Sequence, residues 1–391
     1  MSTEQKIDAL AADAAYDVAG PDEGGCSGRR QLARIGAATT VVAGNRPMKL
    51  LKVLQTNACT QDCAYCPNRA AHGSRRTALQ PDELARTYDA MYRAGSAQGL
   101  FLTSGIAGRP AAGMDAMLAT AELLRGRYQY RGYLHLKILP GCQRAHVERA
   151  MELADRVSIN LEAPTEASLR RLSSTKTLAN AMERIGWIRD LARERPLRSG
   201  FTTQFVVGPG GETDLELLRC VSALYREMGM QRAYFSGFVP VPGTPLEDCS
   251  PTPPSRQARL YQADFLLRFY GFTVDELPFD GAGHLPRGVD PKLAVAVAKP
   301  ERFPVEVNSA AYEELLRVPG VGPLSARRLV ARRRERRIAG LRDLQACGVV
   351  VRRAAPFVLI DGKPQGNLEA ALCLTRAQPE REAIQLSLPF Y

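Results

Sequence analysis

Leu50-Leu51-Lys52-Val53-Leu54-Gln55, followed by Cys59-Thr60-Gln61-Asp62-Cys63-Ala64-Tyr65-Cys66, is the stretch on which the reading of this chain turns. The first six residues are a mostly apolar run of strand length, and the polar residues flanking the cysteines read as a loop. Cysteines spaced C-x3-C-x2-C can hold three irons of a cubane cluster, whereas such clusters normally take four cysteines. The iron left without a protein ligand is an open position, which separates a metal site that does chemistry from one that only staples the chain. The cysteines would then lie at the C-terminal mouth of a strand. A zinc or structural-cluster loop completed by Cys26, Cys142 or a histidine is the alternative.

Outward from this stretch, apolar runs of strand length near Gly99–Thr103, Tyr133–Leu139, Arg156–Leu161, Thr202–Val207 and Ala233–Val239 alternate with helical patterns. Asp82–Ala94, Asp115–Arg127, Gln143–Ala154, Thr177–Glu194 and Asp214–Met228 carry apolar residues at helical spacing. One strand and one crossover helix per unit mean a parallel sheet with helices outside. The fold class is therefore α/β, a partial (β/α)6 TIM-like barrel, and sites in such folds gather at the C-terminal strand ends. Residues 48–250 form this barrel and 1–47 an N-terminal extension. A proline cluster at 250–254 begins a helical connector, 251–300, with a helix at Arg256–Phe269. Asn308 reads as an N-cap within a small all-α module, 301–360, and 361–391 is a tail.

The cysteine spacing, Tyr65 before the third cysteine and the strand before the loop resemble the radical S-adenosylmethionine superfamily. In that family the amino and carboxylate groups of S-adenosylmethionine complete the open iron of a [4Fe–4S] cluster. The resemblance implies Cys59, Cys63 and Cys66 as cluster ligands and places Tyr65 beside the cofactor. Thr103-Ser104-Gly105 stands where the family has Gly-Gly-Glu around the methionine amine; the Glu is absent here. Ser158-Ile159-Asn160-Leu161-Glu162 resembles the Asn-Leu-Asp stretch of biotin synthase, which implies that Asn160 and Glu162 reach the ribose from one strand face. Lys176 stands where biotin synthase has a basic residue on the methionine carboxylate. Gln204 to Thr213, with Gly208, resembles the fifth-strand motif that lies along adenine. Cys142 is a candidate hydrogen-atom donor by analogy with repair lyases of the same superfamily, a buried free cysteine being the commoner explanation.

At 391 residues, 45% apolar and 24% charged, the composition is that of an ordinary globular protein. No apolar stretch approaches the roughly 18–20 residues of a membrane span, and Met1–Gly20 lacks the pattern of a secretion signal, so a cytoplasmic location is expected. Nine cysteines in such a chain point to reduced thiols and a metal rather than disulfides. The net charge of +11 is concentrated: Arg317 to Arg353 holds eleven arginines against Glu335 and Asp343.

Within that segment, Leu315 to Val330 matches a helix-hairpin-helix around Gly320-Val321-Gly322. A glycine turn before a helix N-terminus can face a phosphate. Gly320, Val321, Gly322, Ser325, Arg327, Arg328, Arg332 and Arg333 are the candidate nucleic-acid contacts, duplex DNA ahead of RNA. Gln385-Leu386-Ser387-Leu388-Pro389-Phe390 resembles the peptide by which bacterial repair proteins dock on the sliding clamp. Taken together, these features look like the radical S-adenosylmethionine proteins with a C-terminal helix-hairpin-helix that are described as DNA-modification or repair proteins. The implied activity is a 5′-deoxyadenosyl radical acting on DNA, with an external electron donor. The alternatives are a DNA-binding protein with a structural cluster and an RNA-modifying enzyme.

Overall fold

The computed structural model of the chain describes residues 1–16, 38–43 and 46–376. The Gly20–Gly28 stretch and the clamp-like peptide Gln385–Phe390 lie outside them.

Helix α1 (Thr3–Asp13) starts from a Ser2 capping box. A seven-stranded sheet follows in sequential order: β1 (Ala38–Ala43), β2 (Arg46–Leu54), β3 (Gly99–Thr103), β4 (Tyr133–Lys137), β5 (Arg156–Ser158), β6 (Phe201–Val207) and β7 (Arg232–Gly237). β1 pairs antiparallel with β2, and every pairing from β2 to β7 is parallel. The crossovers are made by α2 (Pro81–Arg93), α3 (Pro110–Arg125), α4 (Arg144–Leu153), α5 (Glu166–Leu172) with α6 (Leu178–Glu194), and α7 (Asp214–Met228). β7 ends the sheet without pairing to β2, so the barrel is a half-barrel.

Strand alternation explains the layering. Leu51, Val53, Leu100, Leu102, Leu134, Leu136 and Val157 are all fully buried on one face, and each large side chain so removed from water contributes about 1.5–3 kcal/mol. Helices start where sequence provides a cap: the Thr165 hydroxyl accepts from the Ser168 amide and the Thr177 hydroxyl from the Asn180 amide.

One strand is shorter than expected. β5 stops at Ser158 because the Thr203 hydroxyl, from the neighbouring strand, donates to the Ile159 carbonyl (2.7 Å) and accepts from the Leu161 amide (3.1 Å). Glu162 then takes a left-handed φ of 66°. Asn160 and Glu162 therefore do not alternate along one strand face.

Among the described residues, chain contacts divide the molecule into one unit of residues 1–212 with 223–257 and another of 213–222 with 258–376. Helix α8 (Pro254–Phe269) runs across this boundary in sequence. The second unit contains α9 (Pro291–Ala298), β8 (Val305–Glu306), α10 (Tyr312–Arg317), α11 (Pro323–Glu335), α12 (Leu341–Ala346), α13 (Val351–Ala354), β9 (Val358–Ile360), β10 (Lys363–Pro364) and α14 (Leu368–Arg376). A three-stranded sheet, β10-β9-β8, thus accompanies the helices. Leu315, Val318, Ala326, Leu329, Ile338 and Leu344 pack its core. Asn308 caps no helix: α10 begins at Tyr312 after Ala311, and the Asn308 side chain instead accepts from the Ile338 amide and donates to the Ile338 carbonyl, both at 3.0 Å. No helix among the described residues is long and apolar enough to cross a membrane.

Candidate active site

The cysteine loop leaves β2 and is held from three sides. At the exit of β3, the Gly105 amide donates to the Thr56 carbonyl and the Thr60 amide to the Ile106 carbonyl, both at 2.7 Å. A Cβ on Gly105 would stand 2.4 Å from the Ala58 carbonyl oxygen, so only glycine admits this approach. On a second side the Arg76 guanidinium donates to the carbonyls of Asn57, Asn68, Arg69 and His72 at 2.6–3.1 Å. On the third, Asp62, between two of the cysteines, accepts from the Ser173 hydroxyl (2.6 Å), the Ser174 amide (2.9 Å) and the Thr175 hydroxyl (2.8 Å). Its partial burial would raise the carboxyl, but these donors override it and hold Asp62 well below the usual carboxylate range.

The sulfurs fit a cluster. The Cys59 sulfur accepts from the Gln61 and Ile106 amides at 3.5 Å, and the Cys66 sulfur from the Asn68 amide at 3.4 Å; such donors stabilise thiolate charge. Burial, then neighbouring Cys63, pushes the Cys66 thiol up to about 12, so iron must displace the proton to bind there. Among the described residues no set of three His, Cys, Asp or Glu side chains is arranged to hold one metal ion. A cubane asks for a different arrangement, since each thiolate takes a different iron.

Beyond the loop, Lys176 donates to Glu162 Oε1 at 2.8 Å and lies 3.4 Å from the Tyr65 hydroxyl. Burial works against the Lys176 charge, but Cys63 and Glu162 override it and keep the ammonium above its ordinary range. Glu162 Oε2 is buried without a hydrogen-bond partner. Burial, followed by this neighbouring carboxylate, raises the Tyr65 hydroxyl well above its ordinary range. A buried carboxylate oxygen with no donor is costly, which suits a site completed by a ligand with hydroxyl or amine donors.

The other expected residues are placed less directly. Ser104 is buried and its hydroxyl donates to the Gly105 carbonyl at 2.8 Å. Asn160 is half-buried just beyond β5. Gly208 has φ 117°, and a Cβ there would meet the Thr252 hydroxyl at 2.2 Å, so packing within the protein already demands glycine. Cys142 is fully buried at the turn after β4, where Arg184 donates twice to its carbonyl. This burial corrects the hydrogen-donor expectation, since the thiol presents no surface to a substrate. Asp62 and Arg76 were missed by sequence reading. The signal for Asp62 was the hydroxyl run Ser173-Ser174-Thr175 just before Lys176.

In the second unit Gly320 takes φ 85°, and a Cβ there would stand 2.7 Å from the Val350 carbonyl. Arg327 and Arg328 are exposed on α11, and Gly322 caps it. The remaining candidates are engaged internally. Val321 is buried, the Ser325 hydroxyl donates to the Gly348 carbonyl, Arg332 pairs with Asp343 at 2.6 Å, and Arg333 donates to the Val307 and Ala310 carbonyls. Both of the Arg333 bonds come from one nitrogen of its half-buried guanidinium.

Asp62→Ala is expected to free the loop that carries Lys176. Residues that orient metal-site groups typically change metal affinity or activity by about 10–100-fold. Iron content after reconstitution and S-adenosylmethionine affinity by calorimetry measure it. Wild-type values for both would remove the clamp from the site.

The family model described as the radical SAM superfamily matches residues 53–224, which span β2 to α7 and include the three cysteines, Glu162 and Lys176. No curated protein matches the chain significantly. Among solved structures the chain is similar to the radical S-adenosylmethionine methyltransferase TsrM from Kitasatospora setae, at 18% identity and TM-score 0.40, covering 51% of this chain and 39% of that one. It is also similar to the FeFe-hydrogenase maturase HydG from Carboxydothermus hydrogenoformans, at 14% identity and TM-score 0.44, covering 56% and 51%. A radical SAM methyltransferase from Sphaerobacter thermophilus gives 14% identity, TM-score 0.44 and coverages of 57% and 65%. The chain spans less than two thirds of each of these proteins, and at such scores they carry no argument about its substrate. It is the family match over the strand-and-cysteine region, residues 53–224, that makes the assignment: this region of the chain is a radical S-adenosylmethionine domain, of a superfamily of enzymes whose cofactors are a [4Fe–4S] cluster and S-adenosylmethionine.

Proposed function

We propose that this enzyme acts on DNA, as a modification or repair enzyme. The observation that carries the reading is the occurrence, in the same chain as the cysteine site, of a tight glycine turn leading into α11, with Arg327, Arg328, Arg334 and Arg336 all exposed. Such a surface neutralises phosphates irrespective of sequence. When bound and reduced, the cluster splits S-adenosylmethionine and supplies a 5′-deoxyadenosyl radical. Cys59, Cys63 and Cys66 would hold three of its irons. Lys176, which feels the charge of Cys63 and Cys66, is a cation for the methionine carboxylate, and the free oxygen of Glu162 is an acceptor for the ribose hydroxyls. An external electron donor supplies the reducing equivalent. A base stacked inside a duplex does not reach a buried radical site, so the target is flipped or single-stranded.

The test is anaerobic reconstitution with reductant and S-adenosylmethionine, following 5′-deoxyadenosine with duplex DNA, single-stranded DNA, transfer RNA or no nucleic acid. Stimulation by DNA beyond RNA supports the reading. Stimulation by transfer RNA alone makes this an RNA-modifying enzyme, and indifference to both removes nucleic acid as the substrate.

Arg327→Gln with Arg328→Gln is expected to weaken DNA binding evenly across sequences. On duplex DNA the slope of log affinity against log salt should shrink by about 0.9 for each phosphate that the variant no longer neutralises. An unchanged slope would place the DNA surface elsewhere.

A further inference from the structure

In the turn Gly320-Val321-Gly322 every carbonyl is taken by a protein donor. Gly320 accepts from the Val350 amide at 2.9 Å, Val321 from the Lys292 ammonium, and Gly322 from the Ala326 amide at 2.8 Å. The amides are treated differently. Val321 donates to the Val318 carbonyl at 3.1 Å, whereas the Gly320 and Gly322 amides have no acceptor among the described residues. The Val321 carbonyl and the Gly322 amide belong to one trans peptide unit, in which C=O and N–H point to opposite sides. The donor that draws this carbonyl inward therefore sends the Gly322 amide outward. Spare amides turned out of a tight turn form a concavity suited to an anion, and the first amides of the 13-residue α11 adjoin it.

The donor on that middle carbonyl is a buried cation. Lys292, on α9, is 7% exposed, and its ammonium lies 4.6 Å over the Tyr270 ring. Asp290, two residues earlier, pairs with Arg353. Burial holds the Lys292 ammonium well below the usual lysine range; Asp290 pulls the other way, and Arg353 and Arg317 add to the lowering. A neutral donor would satisfy the Val321 carbonyl without the cost of a buried charge. An ammonium adds positive potential on the far side of the peptide unit whose amide faces out, and an arriving anion offsets it.

We infer that Lys292 is a positioning residue for anion binding at this turn: it fixes the Val321–Gly322 peptide with its amide outward and touches no phosphate itself. The inference rests on the nucleic-acid reading above in taking a DNA phosphate as the anion. An anion seated at the turn favours the charged ammonium, so binding takes up a proton, and affinity falls as pH rises through the window in which free and bound Lys292 differ. The groups facing Lys292 are Asp290 ahead of α9, Tyr270 after α8, Arg317 on α10 and Arg353 on α13. Guanidinium groups do not titrate in this range, and burial raises the Tyr270 hydroxyl above its own.

Duplex DNA binding to the full chain, followed by fluorescence anisotropy against salt and pH, tests it, with calorimetry of inorganic pyrophosphate as a second probe. Lys292→Met keeps the apolar stem and is expected to weaken both ligands at neutral pH by roughly tenfold or more, the scale of one charged hydrogen bond. Its slope of log DNA affinity against log salt should equal the parent's, because a lost phosphate contact would shrink the slope by about 0.9. Parent affinity should fall from neutral pH toward the ordinary lysine range. Arg327→Gln with Arg328→Gln should keep that fall and Lys292→Met should lose it. A folded Lys292→Met that binds within about twofold of the parent would overturn the inference, and so would a slope reduced by a full contact, which makes Lys292 a direct ligand. Should Lys292→Met not fold, the parent decides, and an affinity indifferent to pH overturns the inference. Pyrophosphate binding that needs Lys292, in a chain that does not bind DNA, keeps the role of Lys292 and rejects the nucleic-acid reading; a chain that binds neither ligand overturns both.

Discussion

Cys63→Ala is expected to reduce 5′-deoxyadenosine formation to the level of the uncatalysed control and to remove the visible absorbance of the reconstituted cluster. Cys63 is 6% exposed and lies between Asp62, which holds the Ser173–Thr175 loop, and Tyr65 beside Lys176. With two thiolates left, the cubane loses a corner ligand while one iron must stay open for the cofactor. Cys142→Ala is the contrasting variant. Cys142 is fully buried after β4, and what Arg184 holds is its backbone carbonyl, which alanine retains. Cluster and cleavage should survive. If Cys63→Ala retains cleavage, or Cys142→Ala loses it with the cluster intact, the assignment of the iron ligands and of the turn after β4 is wrong.

Gly105→Ala is expected to disturb the cluster almost as severely without touching a ligand. The added carbon would stand 2.4 Å from the Ala58 oxygen and 3.0 Å from its carbonyl carbon, both backbone atoms next to Cys59. Neither can rotate away as a side-chain end would. Overpacking of this kind costs about 1–3 kcal/mol. Here it falls on the segment that fixes where the first sulfur stands, because Ile106 also donates to that sulfur. Iron bound per chain, compared with the thermal unfolding of the apoprotein, separates the two consequences. Full iron content together with unaltered cofactor cleavage would mean that the β3 exit does not set the position of the loop.

Much of the barrel was legible because the information is local. β3 and α7 occupy the residues expected of them, Gly99–Thr103 and Asp214–Met228, since alternation and helical spacing are properties of consecutive side chains. The end of β5 was not legible. The hydroxyl that interrupts its ladder belongs to Thr203, more than forty residues away. The same holds for Asp62, whose partners lie 111 to 113 residues downstream; alone, a carboxylate in a polar loop looks solvated. In the second unit the count of arginines was legible, but their division between exposed Arg327 and internally bonded Arg333 was not, because it depends on which carbonyls the fold turns toward each guanidinium.

By itself the sequence determined the ligand set and the strand that carries it, since thiolate spacing and apolar periodicity act through neighbours along the chain. Only the tertiary structure decided that Glu162 keeps one oxygen without a donor and that Cys142 is sealed away. Burial and net charge at a point in space are sums over distant segments, and those sums exist only once the sheet has brought the segments together.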